Sequence, residues 1–546
     1  MATQFNFNGK LIKLPGVYTK TESGVNNQPL ELSYGNIVIV DSDDTNNYGG
    51  GAGVAGVSET GEGSIYPFDN IKDLQNFVGG GVIWDLALPL FRPFNSGSQG
   101  CSKVNYIRAM TTVAATQTLS FATGGDVVFT SLHEGLCGNG VEGATNLLTQ
   151  GFAWTMEAGV VDIAKFRFKF WRGTYKGVDD AGLVLDGIAV GDTAPVLVAT
   201  SPEVTLLSEL VAWASTDYDF NNNFSANGTG ITGDTIVAGD LSATTGNQLF
   251  AAGTQTADAA GMTAALEAIR ALDYTFILSL NYGANAQDAD NFSLQFHIEN
   301  EAKYQKYLVV GGGDSITEFA SQSIAGAVAY DSNRVMVVHG GCKIQDRLGG
   351  LGLRTKSVLF KTALVLGRTC GLAPQIPITF KGIGIAGEVH RLSIRERETA
   401  LDAGVLTTYY DSEIGGGIFA ITQGINTLQD NRFVVNSNGT SHLVSVERIA
   451  AQLNKELEVN AKNTLLGNQF AGPNRSTLSP AIVKEWVENF LRTKEATATE
   501  DDLILSFQDI TVTIVQDAYK VDYGFVPNFE VNKLFMTGLI LDPNLI

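Results

Sequence analysis

The side chains best suited to chemistry are scattered along this sequence. His133, His297, His339, His390 and His442 each stand without a His-x-x-x-His or Glu-x-x-His partner, the spacings that set two metal ligands on one helical face. They read as solvated or core imidazoles. Cys101, Cys137, Cys342 and Cys370 lie far apart with no Cys-x-x-Cys pair, so they read as buried thiols in a reducing cytosol, not as a zinc site or a disulfide framework. No Gly-x-Ser-x-Gly elbow occurs, and no cysteine sits in a catalytic signature.

Three motifs invite a functional reading. Gly51-Ala52-Gly53-Val54-Ala55-Gly56 matches Gly-x-Gly-x-x-Gly, the arrangement that lets a backbone approach a pyrophosphate. The preceding apolar run ends ten residues earlier, and Glu59 and Glu62 follow; both features oppose a phosphate site at a helix start. Lys165-Phe166-Arg167-Phe168-Lys169-Phe170-Trp171-Arg172 interleaves cations with aromatics, as a nucleic-acid stacking platform would. Period-two alternation instead sends Phe166, Phe168 and Phe170 inward and the cations to water. Arg395-Glu396-Arg397-Glu398 reads as the solvated first turn of a helix. Together these observations support neither an enzyme nor a cofactor or metal site.

The elements that would position such residues form a large folded chain. It has 546 residues, 44% of them hydrophobic and 17% charged, a size that calls for several domains and a composition unlike that of disordered chains. The net charge of −21 argues against a surface that embraces nucleic acid or anionic lipid. The N-terminus lacks a secretory pattern, and no apolar run is long enough to cross a membrane.

Residues 1–25 read as an extended arm, because Leu11, Leu14 and Val17 are isolated among polar residues and Pro15-Gly16 forbids a continuous helix. Residues 26–111 mix short strands such as Asn36–Val40 with a helix near Asn70–Phe77. Residues 112–258 turn rich in Thr, Gly, Ala, Asp and Asn, with β-type runs at Asp126–Thr130 and Pro195–Val198, and read as a β-rich insertion. Within it, Asp217–Gly246 suits exposed loops.

From residue 259 helices and strands alternate, as in a layered α/β core. Met262–Leu272 feeds Tyr274–Leu280, and Ser315–Glu318 and Ser393–Glu396 are capping boxes, with Gly404 placed to stop the second helix. Residues 391–528 add a helix through Val446, Ile449, Leu453 and Leu457, and a second opened by Ser479 and Pro480. Ile504–Phe507, Thr511–Val515, Lys520–Phe525 and Glu530–Leu541 read as successive strands, and 529–546 as a C-terminal arm.

Several segments, taken in order, resemble the contractile phage tail-sheath family. Leu14-Pro15-Gly16-Val17-Tyr18 resembles the family's Pro-Gly-Val-Tyr entry; Ile71–Leu74 through Phe77-Val78-Gly79-Gly80 resembles its short helix ending near Phe-Gly; and Val104–Arg108 resembles the strand that follows. Arg334–Gly341, Thr362–Gly371, Pro377–Ile383, Leu401–Val405 and Phe419–Thr427 follow the family's order of helix, lysine-bearing loop, helix and strand. Phe77 is followed by Val78 where the family has glycine, and Ile421–Asn426 lacks its arginine. Residues 112–258 match nothing in the family.

The resemblance implies an α/β (α+β) multidomain fold, with a layered core formed by N- and C-terminal segments, an inserted outer domain and extended arms. It implies no catalysis and no cofactor. The partners it implies are the chain itself, in hexameric rings stacked as a helical polymer, together with a tail tube, baseplate and tail terminator, in a virion assembled in the bacterial cytoplasm. Arms suit such a body: the thirteen residues Lys10–Glu22 span roughly 40 Å when fully extended. Leu11, Leu14, Pro15, Gly16, Val17 and Tyr18 are the expected N-terminal intersubunit strand; Val531, Leu534, Met536, Leu539 and Leu541 are its C-terminal counterpart, an aggregation-prone edge if left unpaired. Lys484, Glu485 and Arg492, opposite the apolar face of their helix, are the expected tube-facing residues. A capsid, tube or surface-layer subunit is the alternative self-assembling reading, and a nucleotide-binding enzyme built on Gly51–Gly56 the catalytic one.

Overall fold

Apolar runs of four to six residues recur where the chain builds its largest sheet. In the computed structural model, seven strands lie side by side in the order Val405–Leu406, Val335–Val338, Tyr307–Gly311, Phe276–Ser279, Asn36–Asp41, Lys103–Arg108, Tyr66–Phe68. All neighbouring pairs are parallel except the last, where Tyr66–Phe68 runs antiparallel to Lys103–Arg108. The structure describes residues 5–7, 10–12, 35–42, 65–78, 81–94, 98–109, 111–120, 126–134, 139–142, 148–173, 195–221, 223–229, 235–236, 248–252, 254–256, 259–270, 272–284, 288–302, 306–345, 352–412, 417–429, 440–464, 480–495, 503–515 and 518–528.

Strands covered on both faces need no polar alternation, and this sheet shows why. Ile37, Ile39, Val104, Tyr106, Phe276, Leu278, Val309, Met336 and Val338 pack on one face with the helices Ile71–Val78, Gly81–Phe91 and Val358–Cys370. Their neighbours Val38, Val40, Ile107, Ile277, Leu308, Val310 and Val337 pack on the other with Ala259–Arg270, Ala289–Phe296 and the turns from Phe319 to Tyr330. The result is a three-layer helix–sheet–helix body. Its seams follow the expected chemistry. Ser393 Oγ accepts from Glu396 N at 3.3 Å while Glu396 Oε2 accepts from Ser393 N at 2.7 Å. The helix they open closes before Gly404, whose φ of +78° and close approach to Asn426 O exclude a side chain.

The body is interrupted between Lys103–Arg108 and Ala259–Arg270. The chain leaves along Thr111–Ser120 and returns along Thr254–Thr256, which pairs beside it with Thr256 opposite Thr111. Between these lie two four-stranded sheets, one ordered Val196–Thr200, Phe166–Arg172, Phe152–Ala158, Gln248–Leu249, the other Phe224–Thr229, Asp126–Glu134, Thr111–Ser120, Thr254–Thr256. They share one aromatic core in which Phe129, Trp154, Phe170, Phe220 and Phe224 meet edge-on or tilted, the arrangement aromatic quadrupoles favour. Phe166, Phe168 and Phe170 face this core as the alternation requires, with Lys169 paired to Glu157 at 2.8 Å on the outer face.

Three expectations need correction. The segment Asp217–Gly246 is not loop throughout: Tyr218–Asn221 is a helical turn, Phe224–Thr229 a strand, and Phe220 and Phe224 are core. Two aromatics four residues apart outweigh the polar residues between them, since each buries a large apolar surface. The β-rich segment also carries a helix, Leu207–Ala214, which buries Leu207, Leu210 and Ala214. Finally, Ile504–Phe507 and Thr511–Val515 are one strand, Ile504–Val515, bulged between Gln508 and Thr511, with Asp509 at φ +55°.

Candidate assembly surfaces

Residues 1–25, expected to be one extended arm, begin with a hairpin. Phe5–Phe7 pairs antiparallel with Lys10–Ile12, placing Leu11 opposite Asn6 and Phe7 opposite Lys10. Asn8-Gly9 between them is the strongest short hairpin signal a sequence carries, and reading the arm for helix breakers alone missed it. Leu14, Pro15, Gly16, Val17 and Tyr18 lie outside the described residues, as do Gly51–Gly56 and the C-terminal positions Val531, Leu534, Met536, Leu539 and Leu541.

The C-terminal region is built around a two-stranded ribbon. Ile504–Val515 pairs antiparallel with Ala518–Pro527, and no third strand joins them among the described residues. One face packs Ile504, Phe507, Ile510, Val521, Tyr523 and Phe525 with Ile449, Leu453 and Leu457 of helix Val444–Thr464 and with Val487, Phe490 and Leu491 of helix Pro480–Arg492. An isolated hairpin is marginal in water, so the two helices are what hold this one flat. Among the described residues, a bridge from Glu495 to Ile504 links the ribbon's backbone to a third segment. The seven-stranded sheet offers nothing comparable: one outer strand is two residues long and the other carries Pro67, both ordinary ways of blocking strand addition.

Helix Pro480–Arg492 divides sharply. Val483, Val487, Phe490 and Leu491 are buried, while Lys484, Glu485 and Arg492 are exposed together with Ile482. The three expected tube-facing residues therefore share a solvent face, with Lys484 and Glu485 about two turns from Arg492. Ser479, expected as the cap, lies outside the described residues.

Helix Val444–Thr464 joins ribbon and sheet through a buried polar seam that no periodicity announced. Its Glu447, Arg448, Asn454, Lys455 and Glu458 are all buried. Glu447 accepts from Ser441 N at 2.6 Å and Asn333 Nδ2 at 2.8 Å; burial pushes its carboxyl up to about 7 against those two donors and the Arg334 charge. Lys455 Nζ lies 3.1 Å from Asp273, which also faces Lys306 at 3.7 Å. Burial lowers the Lys306 ammonium to about 7, with Asp273 opposing the shift. Asp273, Lys306 and Asn333-Arg334 each precede a parallel strand, so the seam runs along the amino ends of the sheet.

Among the described residues, His339 and His297 are each taken up by local hydrogen bonds. Ser323 Oγ and His339 Nδ1 stand 2.8 Å apart, and Gly313 N donates to the same hydroxyl. Both side chains are buried, and burial lowers the imidazole to about 3, so the pair pins a strand end to a helix and presents no nucleophile to solvent. His297 is buried between Tyr274 and Glu301; its i+4 glutamate is a sequence signal the three-residue spacing test overlooked. Among the described residues no group of histidines, cysteines and carboxylates could hold a metal, and no helix is long and apolar enough to cross a membrane.

No known protein-family profile matches the chain. It is 23% identical to the tail sheath protein of Bacillus phage SP01 over 578 aligned residues, covering 95% of this chain and 94% of that one. Its fold matches the sheath tail protein of Desulfitobacterium hafniense, with a TM-score of 0.59 and 15% identity over 94% of this chain and 97% of that one. It also matches the sheath tail protein of Listeria innocua, with a TM-score of 0.52 and 14% identity over 94% and 100% of the two chains. In sequence and in fold alike, this chain is similar to tail sheath proteins, which are structural proteins and not enzymes.

Proposed function

We propose that the chain is the sheath subunit of a contractile tail, polymerising as stacked hexameric rings around a tube and contracting to drive that tube through a cell envelope. The observation that carries this reading is similarity to a phage tail sheath protein across nearly the whole of both chains. In it, residues 26–111, 259–390 and 391–528 form the sheath body, 112–258 an inserted outer domain, and 1–25 and 529–546 the arms. The tube, baseplate and tail terminator are its other partners, and the virion, assembled in the host cytoplasm, its location. Lys484, Glu485 and Arg492 face the tube.

The ribbon supplies the acceptor for the arms. Strand addition satisfies main-chain groups on both partners and tolerates large movements of the bodies it links. With the edges of Ile504–Val515 and Ala518–Pro527 as the docking rails, the arm around Leu11–Tyr18 and the strand around Val531–Leu541 stitch each subunit to its neighbours. Contraction then exchanges side-chain contacts between bodies while the stitched sheets persist.

Electron microscopy of the purified full chain tests the reading. Thick striated cylinders are expected; shells, narrow tubes or flat lattices count against it. Deleting residues 1–22 is expected to leave folded monomers that no longer polymerise, and long polymers from that truncation would overturn the stitching.

A further inference from the structure

Two of the buried cysteines meet. Cys101 lies just before strand Lys103–Arg108, and Cys370 is the last residue of helix Val358–Cys370. More than 250 residues separate them in the chain, yet they share one apolar core and a side-chain hydrogen bond. Glycines draw their backbones together. A Cβ at Gly371 would stand 1.9 Å from Gln99 O, and one at Gly100 would stand 2.2 Å from Leu90 O. Cys101 N donates to that same Leu90 O at 2.9 Å. The helix presses on this turn again at Gly367, where a Cβ would lie 2.5 Å from Pro89 O. Backbones packed too closely for a methyl group leave two touching thiols within the reach of a disulfide, which spans Cα atoms roughly 4.4–6.8 Å apart.

The surroundings set how such a bond could form. Cys101 and Cys370 are 5% and 4% exposed, so a bulky disulfide reagent is shut out and a small oxidant is not. Burial, with the Cys370 thiol beside it, raises the Cys101 thiol well above its usual pKa. A thiol held protonated is a poor nucleophile, so the pair ignores brief exposure and yields to sustained oxidation.

We propose that Cys101 and Cys370 are a latent redox staple, closed to a disulfide by hydrogen peroxide. One thiolate attacks the peroxide and takes up an oxygen as a sulfenic acid, while the O–O bond breaks and the other oxygen leaves as water. The second thiolate attacks that sulfur, the S–S bond forms as the S–O bond breaks, and the departing hydroxide takes a proton to become a second water. Both sulfurs are oxidised and the peroxide is reduced. Cys101 precedes the inserted domain and Cys370 follows it, so the bond closes that whole segment into one covalent loop. A reducing compartment keeps the staple open and an oxidising one favours its closure. The inference is independent of the sheath reading.

The test treats the reduced, folded full chain with hydrogen peroxide and maps it by mass spectrometry without reduction. A peptide pair joined through Cys101 and Cys370 is expected, in a chain lighter by two hydrogens. The oxidised chain should melt about 3 °C or more above the reduced one, and dithiothreitol should reverse both changes. Cys370→Ala should lose the link and the shift, while Cys137→Ala should keep them; if the first variant fails to fold, the map of the unaltered chain decides. Thiols left intact by peroxide, oxygen adducts on Cys101 or Cys370 without a link, a link to Cys137 or Cys342, or a linked chain that melts no higher would each overturn the staple.

Discussion

The seven-stranded sheet and the C-terminal ribbon are both β-structure with helices packed on them, yet they treat their edges in opposite ways. The sheet has helices on both faces and closes its borders with a two-residue strand and a proline-bearing one. The ribbon has helices on one face, and its strands of twelve and ten residues carry long rails of backbone donors and acceptors. Complete burial fixes a structure within one chain, whereas the ribbon's long strands are, on the proposed reading, the rails that receive a neighbour's arm. The proposed contraction, in which bodies keep their shape while their neighbours shift, would draw on both.

The largest effect that could break this contrast lies in the sheet. Phe276 is fully buried between neighbouring strands, and Phe276→Ala should cost about 3–5 kcal/mol, read as a fall in the urea midpoint. A much smaller cost would show that the sheet is not the rigid half. On the ribbon, Leu505→Lys sets a charge on an exposed edge-strand position. Because lysine at an edge discourages strand addition, it should abolish polymer growth in light scattering while shifting monomer stability by no more than about 0.5 kcal/mol. If polymers grow normally, the rail is not the docking site.

The seam between the two regions should reveal itself through pH. Glu447 holds its proton more readily folded than unfolded, so stability falls as pH rises from about 4.5 to about 7. Lys306 releases its proton more readily folded, so its contribution climbs from about 7 to about 10.5. Glu447→Gln should flatten the first limb and Lys306→Met the second, each by on the order of 1 kcal/mol per pH unit, in urea titrations at stepped pH. Unchanged slopes would mean that water reaches the seam. The smallest effect is local: Ser393→Ala removes a cap and should cost about 1 kcal/mol without touching polymer growth.

Where the sequence was legible, the signal was local. The strand Asn36–Asp41, the two capping boxes, the stop at Gly404 and the inward phenylalanines of Phe166–Arg172 all follow from spacing that one segment carries by itself. The hairpin at Asn8-Gly9 was equally local and simply overlooked. The buried Phe220 and Phe224 were hidden in part because three of their partners, Phe129, Phe152 and Phe170, lie at least fifty residues away in the chain. Of the residues chosen as interfaces, Lys484, Glu485 and Arg492 were legible as one exposed helical face, because a 3.6-residue period separates them from Val483 and Val487.

By itself the sequence determined the alternating α/β texture, the acidic surface and the similarity in motif order to sheath proteins, because period, charge and turn chemistry are properties of neighbouring residues. Only the tertiary structure decided that Asn36–Asp41 sits between Phe276–Ser279 and Lys103–Arg108, that charged residues of Val444–Thr464 line a buried seam, and that Glu203 clamps a loop more than forty residues before it. Those pairings are chosen by what each apolar face or unsatisfied amide finds within a few ångströms, and distance through space is not written in distance along the chain.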